Sequence, residues 1–271
     1  MAAAKPHRWN EPIVTQALAQ LVESLSLESS QIAEGISSVS ADVLSQSSSI
    51  DGPNFTQILP ADLELLFTSY DREFFRGLIS DTLHKTCLRW RLSRRMTSSG
   101  GKTTRFRDFS TGKTWYEICV SHVVLFGSFD GRDHREVTVS GLVCHNRLQA
   151  LQRVMEHELI HLVELLVWGQ TSCARARFRS MSRRLFGHTQ NKHRLITPRE
   201  KAMAQFGIRP GMAVHFCVQG KRHQGFVNRI NKRATVLVED RRGEKYSDGK
   251  RYTKFYVPVA LLEPVESLTT T

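Results

Sequence analysis

The chain has 271 residues, 40% of them hydrophobic, which suits one sizeable core with a small second domain and excludes disorder throughout. Its 38 Lys and Arg against 26 Asp and Glu leave a net charge of +12, an excess that points to a polyanionic partner, most often nucleic acid. No run of about 18 apolar residues offers a membrane span, and the first residues lack the apolar stretch of a secretory signal. A cytoplasmic protein with no membrane role is the expectation. Cys87, Cys119, Cys144, Cys173 and Cys217 stand apart, with no Cys-x-x-Cys pair, so neither a disulfide framework nor a zinc ribbon is supported.

Residues 1–58 are rich in Ser and Ala and read as a weakly ordered extension, with a short amphipathic helix over 13–27. Apolar residues at Leu63, Leu66, Phe67, Tyr70, Phe74 and Leu78 then follow a helical period. Residues 88–92 alternate as a strand does and stop in a turn-rich stretch over 97–101; residues 115–121 form a second strand-like run. A long helix is predicted over 147–167, ended by Gly169, and another over 174–186, ended by Gly187. This order describes an α+β domain over 59–198. Beyond it, short runs at 213–216, 225–230, 234–238 and 254–257, with turns at 231–233 and 241–243, read as a small β-barrel over 205–265.

The chemistry rests on Glu156-His157-Glu158-Leu159-Ile160-His161-Leu162-Val163-Glu164. On a helix, residues four apart share a face, so His157 and His161 can reach one Zn²⁺ ion at ~2.0–2.1 Å. Glu158 follows the first ligand directly and suits the general base that takes a proton from water and passes it to the leaving amine. Leu151, Val154, Met155, Leu159, Ile160, Leu162, Leu165 and Leu166 make the rest of the helix apolar. A polar triplet buried there without partners would be costly, and a metal removes that cost.

Tyr70 to Gly77, Leu88-Arg89-Trp90 with the following Gly-Lys-Thr turn, the strand at Ile118-Cys119-Val120-Ser121, and Leu148 to Leu151 before the helix resemble, in that order, the SprT-like zinc metallopeptidases. The resemblance covers about residues 61–195, roughly half the chain. The family includes the Spartan proteases, which clear proteins crosslinked to DNA. It therefore implies a zincin-like domain, DNA-dependent proteolysis and a basic surface, with His157, Glu158 and His161 in the metal and base roles. The family's third zinc ligand is a His in a Gly-His-Gly-x-x-Phe-like segment. Here that stretch runs Thr171-Ser172-Cys173-Ala174-Arg175-Ala176-Arg177-Phe178 and holds no His. Cys173 is one substitute; His188, returned toward the first helix by an antiparallel second helix, is preferred on ligand chemistry, with His193 a weaker choice. Glu164 is better placed to orient a ligand than to bind zinc.

Arg175, Arg177, Arg179, Arg183 and Arg184 open a basic stretch with no acidic residue between Cys173 and Pro198, expected to contact phosphates. In the C-terminal barrel, weakly similar to SH3-like or KOW-like folds, Arg229, Lys232 and Arg233 lie among aromatics that suit base stacking. Three functions follow: a zinc hydrolase acting on DNA-associated proteins in crosslink repair, nucleoid-associated or nuclear; a nucleic-acid-binding protein with a structural or inactive zincin domain; and a peptidase with no nucleic-acid role.

Overall fold

A computed structural model describes residues 11–84, 86–130 and 136–265 and shows a mixed α+β chain. Residues 1–10, the start of the expected extension, lie outside this description. The chain divides into two compact units, one spanning residues 1–94 and 99–195, the other 95–98 and 196–271.

The first unit begins with helices α1 (Glu11–Ser24) and α2 (Ser29–Gln46). Leu18 and Val22 of α1 and Val39 and Val43 of α2 are fully buried, as is Ile50 beyond them. The weakly ordered extension expected here is therefore corrected: its apolar residues recur at helical spacing and enter the core. Ser and Ala between them occupy other faces, which is why composition alone misread the segment. Asp62 ties this region to α3 (Pro60–Phe75), accepting hydrogen bonds from the Ser47 hydroxyl at 2.6 Å and the Leu59 amide at 2.6 Å.

The helical period from Leu63 to Leu78 does not form one helix. Arg76 and Gly77 take left-handed backbone angles (φ 57° and 78°), ending α3 and starting α4 (Leu78–Leu83). The Asp71 carboxylate accepts from the amides of Ile79 at 3.0 Å and Ser80 at 2.8 Å, supplying the partners that the second helix start lacks.

Strands β1 (Leu88–Ser93), β2 (Gly101–Arg107) and β3 (Thr114–Ser121) form a sheet in the order β1-β3-β2, with β1 parallel and β2 antiparallel to β3. The Gly-Lys-Thr stretch expected as a turn is the beginning of β2, an edge strand. After α5 (His122–Gly127) comes a hairpin of β4 (Thr138–Val139) and β5 (Leu142–Val143). Its two-residue turn is Ser140 (φ 54°) and Gly141 (φ 80°), and positive φ at both central residues fits the twist of a tight hairpin.

Helix α6 (Arg147–Trp168) starts where the Asn146 side chain accepts from the Gln149 amide at 2.9 Å and ends at left-handed Gly169 (φ 68°). Leu151, Val154, Met155, Leu159, Ile160 and Leu162 bury it on nearly every side. Helix α7 (Ala176–Phe186) ends at Gly187 in the same way, and β6 (His193–Arg194) pairs with β4, placing His193 opposite Val139.

In the second unit, α8 (Pro198–Phe206) precedes β7 (Ala213–Val218), β8 (Lys221–Ile230), β9 (Ala234–Lys245), β10 (Arg251–Val257) and β11 (Glu263–Pro264). They form an antiparallel sheet in the order β10-β9-β8-β7-β11 around Val214, Phe216, Val227, Val236 and Val257. No pairing joins β10 to β11 among the described residues, so the sheet is open rather than the closed barrel expected. The stretch 241–243, expected as a turn, continues β9.

Candidate metal centre

Helix α6 carries the polar triplet on its buried side: His157 is 5% exposed and Glu158 2%. The Nε2 atoms of His157 and His161 lie 3.1 Å apart. Two ligands of one tetrahedral zinc ion at ~2.0–2.1 Å would sit ~3.3 Å from each other, so the spacing matches a shared ion. The tautomer of His161 supports the same reading. Thr171 donates its hydroxyl to Glu164 Oε2 at 2.6 Å, so it accepts from His161 Nδ1 at 2.5 Å and leaves Nε2 with a free lone pair. Glu164 is anchored in turn by the Ser172 amide at 3.2 Å and by Arg177 Nε at 2.9 Å.

Cys173 joins this pair: donor atoms of His157, His161 and Cys173 all lie within 4.8 Å of one another. A second group, His157, Glu158 and His193, meets the same limit. The His157 and His193 rings stand edge to face with centroids 4.4 Å apart. Buried Nδ1 of His157 and Nε2 of His193 have no hydrogen-bond partner among the described residues. Burial, with neighbouring His193 and His161, holds the His157 ring well below its ordinary pKa. Burial also lowers His161 and His193 to about 4, so all three are neutral near pH 7, the state in which a ring nitrogen binds metal. Two imidazoles with a thiolate, and orphaned nitrogens beside them, form a donor set that fits zinc with one position open.

His188 does not join. Its Nε2 is 2.7 Å from the buried Glu156 Oε2, and Glu156 also accepts from the Tyr70 hydroxyl at 2.7 Å and from the partly buried Arg153 guanidinium at 2.9 Å. Burial opposes ionisation of Glu156, but Arg153, His188 and Tyr70 outweigh it and hold its pKa below the ordinary value. The expected third ligand is thus a partner of a buried carboxylate. The antiparallel return of α7 does bring it to α6, but onto the residue before His157.

Glu158 is braced by β2. Thr103 donates its hydroxyl to Glu158 Oε2 at 2.7 Å, and a Cβ at Gly101 would come within 2.6 Å of Glu158 Oε1. A Cβ at Gly100 would come within 2.9 Å of His193 Nδ1. Two adjacent glycines therefore let the strand close on the base and on His193. Burial raises the Glu158 pKa to about 7 against the opposing Thr103 bond, a value suited to accepting and returning a proton near neutrality.

The basic residues divide. Arg177 is spent on Glu164, with its guanidinium 4.0 Å over the Trp168 ring. Arg184 caps α1, donating to the Val22 carbonyl at 2.6 Å and to that of Leu25. These two are corrected from phosphate contacts to structural partners. Arg175, Arg179 and Arg183 are exposed on or beside α7, and Arg229, Lys232 and Arg233 are exposed in the second unit.

Sequence reading missed Thr103, Thr171, Glu156 and the Gly100-Gly101 pair. The Gly pair alone left a signal, since adjacent glycines often mark a close backbone approach.

Replacing Thr171 by Val removes the link from His161 to Glu164 at nearly constant volume. Zinc affinity, measured by competition with a chromogenic chelator, is expected to fall about 10–100-fold, as for other changes to groups that orient a ligand. Unchanged affinity would show that His161 needs no such support. Comparison of the chain with protein-family models, with curated proteins and with solved structures finds no match.

Proposed function

We propose that the chain is a zinc-dependent metallopeptidase of zincin-like build that hydrolyses proteins bound or crosslinked to DNA. The observation that carries it is the convergence of His157, His161 and Cys173 within 4.8 Å of one another, beside a buried Glu158. When bound, zinc would act there as a Lewis acid, polarising a peptide carbonyl and acidifying water. Glu158, held by Thr103, takes a proton from the attacking water and returns it to the amine that leaves. His161 keeps its orientation through Thr171 and Glu164. Among the described residues, strand β2 has no partner on the edge away from β3, so an extended peptide can pair there with its backbone running past Gly101 and Glu158.

The nucleic-acid part is supported by charge and by the resemblance to SprT-like proteases. In the second unit, read as SH3-like, Phe226 is 53% and Tyr256 58% exposed, and Arg229 is exposed on the strand that carries Phe226, a pairing that suits stacked bases and phosphates. No helix among the described residues is long and apolar enough to cross a membrane. The proposed setting is the nucleoid or nucleus.

The test is cleavage of a basic DNA-binding protein, with and without single-stranded DNA. Activity is expected to vanish on removal of zinc by a chelator and to return with added zinc. Cleavage that survives chelation overturns the metallopeptidase reading, and cleavage indifferent to DNA removes the nucleic-acid part alone.

A further inference from the structure

A cavity of about 360 Å³ opens between α7 and the loop that follows it. Ligand sites commonly run ~300–1,000 Å³. Arg179, Arg183, Lys192 and Arg194 line it with no acidic residue among the lining. The side chains of Arg179, Arg183 and Lys192 have no carboxylate partner among the described residues. Like charges gathered around a concave surface repel one another and draw in an anion.

His188, 3% exposed, forms part of the wall. Its Nε2 is committed to Glu156, and its buried Nδ1 has no hydrogen-bond partner among the described residues. A buried polar nitrogen without a partner is uncommon in a folded protein and marks a place where a ligand can complete the bonding.

The loop is also held in shape. Ser140 O accepts from the amides of Thr189 and Gln190, both at 3.0 Å, and the Ser140 amide donates to Lys192 O at 2.9 Å. The Asn191 side chain donates to Cys173 O at 2.8 Å. At Gly141, a Cβ would fall 2.0 Å from Thr189 Oγ1, so only glycine lets the hairpin support the loop this closely. The loop backbone that carries Lys192 is thus preorganised, which lowers the ordering cost of binding.

We propose that this cavity binds a phosphate group, gripped by Arg179, Arg183 and Lys192, with His188 in its wall. Arginine forks match phosphate oxygens two at a time, and lysine adds a point charge. The site is distinct from the zinc ligands and does not depend on the peptidase reading. The phosphate belongs either to a nucleic-acid backbone or to a small free anion.

Binding of inorganic phosphate by calorimetry and of a labelled single-stranded DNA by fluorescence anisotropy distinguishes the two sources. The variant Arg179→Gln/Arg183→Gln/Lys192→Gln is compared with Arg94→Gln/Arg107→Gln/Lys113→Gln, which removes the same charge from exposed positions that do not line the cavity. At least about a tenfold greater loss in the cavity variant than in the control is expected for one probe or both. A selective loss for DNA identifies a backbone phosphate; a selective loss for inorganic phosphate alone identifies a free anion. Equal behaviour of the two variants toward both probes overturns the proposal.

Discussion

Glu158→Gln is expected to lower peptide cleavage by about 10²–10⁴-fold while zinc content and fold remain. Gln keeps the volume and can still accept the Thr103 hydrogen bond, now made to Glu158 Oε2 at 2.7 Å, but an amide cannot carry the proton from water to the amine. The substitution also has a signature independent of catalysis. Burial raises the Glu158 pKa from the ordinary 4.5 to about 7, so the folded state holds that proton more tightly than the unfolded chain. The stabilisation of the neutral form is complete below pH ~4.5 and is lost as pH rises through about 7. Metal-free Gln variant should therefore melt above metal-free wild type at pH 8, with the gap closing as pH falls toward 4.5. Wild-type rates in the variant would remove Glu158 from the proton-transfer role, and an unchanged melting gap across that range would show that its carboxyl is not so desolvated.

Much of the first unit was legible because its signals are local. Helix α6 announces itself by apolar periodicity and by Gly169 at its end, and the four-residue spacing of His157 and His161 is a property of any helix. What stayed hidden was non-local. The Gly-Lys-Thr stretch has the composition of a turn, and only pairing with β3 makes it a strand, whose first residue Gly101 admits Glu158 while the preceding Gly100 admits His193. Arg177 and Arg184 looked like members of one cationic surface because no acidic residue is near them in sequence. Their partners are Glu164 and the last carbonyls of α1, 13 and more than 150 residues away. A charge run counts as a ligand surface only after such internal partners are subtracted, which leaves Arg175, Arg179, Arg183 and Lys192, the last three of them around the cavity.

The same distinction decides between His188 and Cys173, where ligand chemistry and geometry disagree. Imidazole is the commoner third donor, but Nε2 of His188 serves Glu156 at 2.7 Å, and Cys173 lies with His157 and His161. Cys173→Ala is expected to weaken zinc binding by more than the ~10–100-fold typical of groups that only orient a ligand, because two protein donors remain of three. Its thermal stability without metal should change little, since the side chain is only partly buried and its thiol makes no hydrogen bond among the described residues. His188→Ala is expected to behave in the opposite way. Zinc content should stay near one per chain, whereas stability should fall by about 1–3 kcal/mol, the cost of leaving a buried acceptor short of a partner, because Arg153 and Tyr70 still hold Glu156. Metal analysis after dialysis, together with denaturant unfolding of the metal-free proteins, separates the two roles. Loss of zinc in His188→Ala with retention in Cys173→Ala would reverse the assignment. Loss in His193→Ala with retention in Cys173→Ala would instead move the third ligand to the strand that pairs with β4.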